Sequence, residues 1–148
     1  MEKNQLRSEL HWPAFLARIL LGLLFLMAGW TKVFEMGAIE HARQLFVEGY
    51  KDYWIPVWLL WFSGFVIPFV ELISGALLVM GYRVRESLFA LGIVLIVVTY
   101  GHLLKEPFYD ITTHILPRAI LVIFLFSIPR NADTVTIDSV LNKRKLSK

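Results

Sequence analysis

The chain contains no cysteine, which excludes disulfides, a thiolate nucleophile, cysteine-ligated metal sites and iron–sulfur clusters held by this chain. Any redox role must therefore use a bound cofactor or a partner. Charge is also scarce: 18% of the 148 residues are Asp, Glu, Lys or Arg, against 57% hydrophobic. One soluble core of this size cannot cover so much apolar surface, so the composition points to a lipid bilayer as the chain's first partner. A glycine-rich phosphate loop, a Ser-His-Asp array and a basic patch interleaved with aromatics are all missing. Soluble enzyme chemistry and nucleic-acid binding find no support.

What the sequence does have is four apolar runs, at about 12–34, 57–80, 86–104 and 111–128. Each is near the roughly twenty residues that a spanning helix needs. Backbone polar groups in lipid must pair internally, so the runs are expected to be helices. The expected fold is an all-α integral membrane four-helix bundle: residues 1–11 form an N-terminal segment, 12–128 the transmembrane domain and 129–148 a basic tail. Lys3, Arg7, Arg83, Arg85, Arg130 and the tail cations fall on one side, and Arg43, Lys51 and Lys105 on the other. The positive-inside rule then puts both termini in the cytoplasm, with the protein in a bacterial inner membrane. Ile19 to Ala28 has the look of a short signal-peptide core, but no A-x-A site follows it, so the first run reads as a span.

The first external loop, Glu35 to Pro56, repeats Ile39, Ala42, Leu45, Phe46, Tyr50 and Tyr53 at helical spacing. This predicts an interfacial amphipathic helix.

Polar residues inside the runs carry the functional reading. Glu71 lies near the middle of the second run, where a charge costs roughly 2.5 to 3.5 kcal/mol and needs a partner, a proton or a polar cavity. On the first helix Arg18, Gly22, Phe25, Gly29 and Lys32 share one stripe. On the second, Gly64, Pro68, Glu71 and Gly75 do the same. Pro68 removes a backbone donor and frees a carbonyl near Glu71. Depth along the helices favours Arg118 as the partner of Glu71, with Arg18 second. The same ions could instead serve only to fix helix register.

A second polar cluster is expected near the outer face, where Lys32, His102, Asp110 and His114 end or open their helices. Asp110 sits one turn from His114 and could orient its imidazole. That mouth suits the head group of a quinone or similar polar ligand, or else is ordinary interfacial polarity. His102 and His114 could be imagined as bis-imidazole ligands, but no HxxxH or E-x-x-H spacing is present. Haem and metal are not expected.

Taken together, Arg18-x3-Gly22, Gly29-Trp30-x-Lys32, Glu71-x3-Gly75 and the mid-helix Arg118 resemble the DoxX family, over about Pro13 to Pro129. That resemblance implies a small four-helix inner-membrane protein. The family takes its name from a thiosulfate:quinone oxidoreductase subunit, and some relatives are linked to membrane oxidoreductase complexes and oxidative-stress defence. It supplies no settled catalytic residue, and none is assigned.

Three functions follow as expectations. The first is an accessory of a membrane redox system, possessing a quinone site within the bundle and a redox-complex protein partner. The second is a non-catalytic scaffold or assembly partner whose buried ions are structural. The third is a small-solute transporter acting as a homo-oligomer, since four helices in one copy leave little room for a path.

Overall fold

The computed structural model describes residues 2–106, 111–129 and 132–146. All regular structure among them is helical. Helix α1, Glu2–Trp30, runs without a break into a π-helical turn at Thr31–Glu35. Gly37, with φ 87°, turns the chain, and the first loop then forms α2 (Ala38–His41) and a second π-helical stretch, Ala42–Glu48. Helices α3 (Val57–Met80) and α4 (Val84–Lys105) follow, then α5 (Ile111–Ser127) and a terminal helix α6 (Ile137–Leu146).

The stretches Glu9–Glu35, Val57–Met80 and Val84–Lys105 are long and apolar enough to cross a membrane, and Ile115–Ser127 is a shorter apolar helix. Large apolar side chains such as Leu20, Met27, Phe62, Ile73, Ile96 and Ile123 face outward. A soluble protein would bury them, so this is an integral membrane protein.

Helix α3 starts immediately after Pro56, which cannot donate a hydrogen bond and suits a helix start. It ends at Gly81, whose φ of 67° is left-handed. There the Gly81 amide donates to Leu78 O at 3.0 Å and the Tyr82 amide to Leu77 O at 2.9 Å, a glycine-terminated helix end. Helices α1 and α3 pack most closely. A Cβ on Gly75 would stand 2.8 Å from Leu26 Cα, and one on Gly29 would stand 2.7 Å from Leu72 Cα. Glycine is required at both crossings because the backbones themselves touch. Around this pair the core is closed by Leu21, Phe25, Leu78, Leu88, Leu91 and Val122.

The first loop is helical, as its periodicity predicts, but it folds against α3 rather than standing apart. Ala42 is fully buried, and its Cα lies 2.7 Å from where a Gly64 Cβ would be. The tail differs further from a plain basic segment. Residues 132–139 dock on the end of the bundle that carries the α3–α4 turn, hereafter the turn end. The opposite end carries the first loop.

Candidate functional site

The stripe on α1 and the stripe on α3 meet. Arg18, Phe25, Gly64, Pro68, Glu71 and Gly75 are all buried, so the spacing of these residues identified the inward faces of both helices. At the loop end of that contact, Lys32 Nζ donates to Glu71 Oε2 at 2.5 Å. Glu71 is 4% exposed, and the Lys32 side chain keeps 27% of its surface. Lys32 belongs to the π-helical turn, a wider turn of the kind often found at functional positions.

The expected partner of Glu71 was Arg118, and the structure pairs it with Lys32 instead. Depth counting placed Lys32 at the mouth. It did not allow for the ammonium reaching back along the stripe, where the close glycine-lined approach of α1 brings it onto Glu71. Arg118 acts on Glu71 at longer range and lies over the Phe25 ring, 5.6 Å from its centroid.

Arg18 is not a partner of Glu71 either. Arg18 is 2% exposed, and all three guanidinium nitrogens are engaged at the turn end. Nε donates to Asp133 Oδ2 at 2.7 Å, Nη1 to Leu78 O at 2.5 Å and Val79 O at 3.0 Å, and Nη2 to Val135 O at 2.8 Å. Arg18 thus neutralises the carbonyl end of α3, where a cation is favoured, and clamps the tail onto it. Arg85 does the same for α5, donating to Phe126 O and Ile128 O, each at 2.7 Å.

Within the electrostatic reach of Lys32 stands a residue with no place in the sequence-based site, His41. It is 2% exposed, and its Nδ1 lies 2.8 Å from Gly64 O. Gly64 is four residues before Pro68, so its carbonyl has lost the helical N–H it would otherwise receive. A carbonyl only accepts, so Nδ1 carries the proton and donates, which leaves the lone pair of the neutral ring on Nε2. Burial lowers the His41 pKa, the Gly64 bond opposes this, and the nearby Lys32 charge lowers it further. The signal for His41 lay in the freed carbonyl, which needed a donor from somewhere.

The rest of the loop holds His41 in place. Phe46 packs against its ring, with centroids 5.5 Å apart. Tyr50, whose pKa is raised by burial, lies under the Lys105 ammonium at 4.2 Å. A Cβ on Gly101 of α4 would meet the Tyr50 hydroxyl at 2.8 Å. The loop therefore ties α3 to the last turns of α4, where His102 is partly buried. Asp110 lies outside the described residues, as does the side chain of His114 on α5. Their expected grouping with His102 is therefore not part of this geometry. Among the described residues no group of three or more His, Cys, Asp or Glu is arranged to hold a metal.

The family model described as methylamine utilisation protein MauE matches residues 10–105, most of the chain. The chain belongs to the MauE family. The matched stretch runs from α1 through α4 and contains Arg18, Lys32, His41, Glu71 and His102. It stops before Arg118 and Asp133. The resemblance to DoxX is thereby corrected. Its motifs are glycines where α1 crosses α3, with buried charges beside them, and any tight membrane bundle that holds an ion pair needs these. They report packing rather than family. No curated protein and no solved structure matches the chain.

Proposed function

We propose that this protein is a non-catalytic membrane accessory of methylamine utilisation, which binds a quinone or comparable amphipathic molecule at the polar centre around Lys32 and Glu71. The family supports the first half of this reading. Drawing carbon from methylamine requires its oxidation, and the electrons removed need a carrier, for which a membrane quinone is chemically suited.

The observation that carries the second half is the asymmetry of the Lys32–Glu71 pair. Glu71 is closed off, whereas Lys32 remains partly accessible and has three donors, of which Glu71 accepts one. The remaining N–H groups suit the carbonyl of a ligand head group. Glu71 holds the ammonium in place, and Arg118 adds positive field. His102 would extend the polar lining toward the loop end. In this reading α5 is a fourth span, both termini are cytoplasmic and the membrane is a bacterial inner membrane. The distribution of basic residues around the segment ends supports that topology.

Arg18 favours a scaffold role as the second reading. All three nitrogens of its guanidinium hold α1, α3 and the tail together, which is what a part that recruits or stabilises a partner requires. Growth on methylamine tests both readings. A strain lacking this chain should fail to grow and be rescued by wild type. Glu71→Gln, expressed at wild-type level, should rescue poorly if the polar centre acts on a ligand. Full rescue by that variant would remove the ligand site and leave the scaffold.

A further inference from the structure

We propose that α6 is an interfacial helix seated on an anionic phospholipid surface at the turn end of the bundle. Four observations converge on it.

The first concerns its placement. The Asp138 carboxylate accepts from the Arg83 amide at 3.0 Å and the Val84 amide at 3.1 Å, which caps α4. In return the Asp138 amide donates to Gly81 O at 3.1 Å. Together with the Arg18–Asp133 bond, this fixes the start of α6 against the middle of α1, the end of α3 and the start of α4.

The second concerns depth. The docking points adjoin exposed aromatics of the type that settles at the headgroup level. Trp12 follows His11, whose Nδ1 lies 3.3 Å from both Ala132 O and the Thr134 amide. Tyr82 follows Gly81. Both rings face outward, Trp12 at 64% exposure. The first turn of α6 therefore stands at the boundary between hydrocarbon and water.

The third is an apolar face without a protein cover. Ile137, Val140 and Leu141 share one side of α6 at i, i+3 and i+4 and are all exposed.

The fourth is charge. Lys143, Arg144 and Lys145 occupy the last turns of α6, and no acidic residue follows Asp138. An apolar edge joined to a basic end, held at headgroup depth, matches an acyl boundary with anionic phosphates above it.

Because the chain has no cysteine, single reporters can be placed without background. Val140→Cys and Leu141→Cys, each labelled with an environment-sensitive fluorophore, would be reconstituted as full-length protein in nanodiscs of phosphatidylcholine with or without phosphatidylglycerol. Label at Ile96→Cys on the outer face of α4 serves as a folding control, since it should be shielded in every disc. The expected result is blue-shifted emission and protection from aqueous iodide at 140 and 141 in the anionic discs. Replacing Lys143, Arg144 and Lys145 with Ala should weaken this by about five-fold per cation removed. Labels that stay open to iodide in both lipids, or protection that ignores phosphatidylglycerol and the triple substitution, would overturn the proposal.

Discussion

His41 donates from Nδ1 to the carbonyl oxygen of Gly64 at 2.8 Å, in the place of the backbone amide that Pro68 cannot supply. One helix-breaking residue is thus matched by one imidazole from a loop, and the match holds that loop against α3 near Lys32. A proline in a spanning helix is tolerated only when the freed carbonyl finds such a partner.

The coupling is measurable as a double-mutant cycle. His41→Ala leaves a buried carbonyl unpaired and should cost about 1–3 kcal/mol. In a Pro68→Ala background the restored amide can reach Gly64, so the same His41→Ala change should cost less. Thermal unfolding of the four proteins in one detergent gives the interaction term. Equal costs in both backgrounds would show that the Gly64 bond is not what His41 contributes.

His41 also predicts a pH dependence. Its pKa is lowered in the folded protein, so between the folded and unfolded values the unfolded chain binds more protons and stability rises with pH. The His41 contribution is present above the unfolded value of about 6.5 and is lost as pH falls through the folded pKa. Melting temperature should decline on acidification in wild type and decline less in His41→Gln. Identical pH profiles would assign the acid sensitivity to other groups.

The Lys32–Glu71 pair predicts a sign reversal. Lys32→Met strands a buried carboxylate and should destabilise by about 3–5 kcal/mol, whereas adding Glu71→Leu to it should recover most of the loss. Unfolding of the single and double variants checks this. A double variant worse than the single one would contradict the stranded carboxylate, because Glu71 would then stabilise the fold without Lys32.

Gly29→Val and Gly75→Val place side chains where backbone already lies. Each should destabilise by about 1–3 kcal/mol or more through overpacking, while Gly92→Ala, whose Cβ would meet Val122 at a relaxed 3.9 Å, should be close to neutral. Thermal unfolding of the purified variants in one detergent ranks them.

Much of this architecture was legible in the sequence, because lipid makes strict demands. The apolar runs gave helices α1, α3, α4 and α5 to within a few residues at most boundaries, although α1 begins as early as Glu2. Spacing alone brought Gly22, Gly29, Glu71 and Gly75 onto facing stripes. The partners were harder to read, since a lysine or arginine side chain reaches several ångströms and depth counting cannot say which way it bends. Arg18 therefore went to Asp133, a residue more than a hundred positions away that reads locally as part of a polar tail. Lys32 went to Glu71 for the same reason. His41 was invisible because a histidine in an amphipathic loop looks like surface until the Pro68 gap above it is considered.

Organic extraction of the purified protein followed by mass spectrometry, wild type beside Glu71→Gln, tests the ligand site most directly. A quinone or comparable lipophile at near-stoichiometric amount in wild type, and lost from the variant, is the predicted result. An empty wild-type extract, or equal amounts from both proteins, would contradict the site and leave Lys32 and Glu71 as a structural pair.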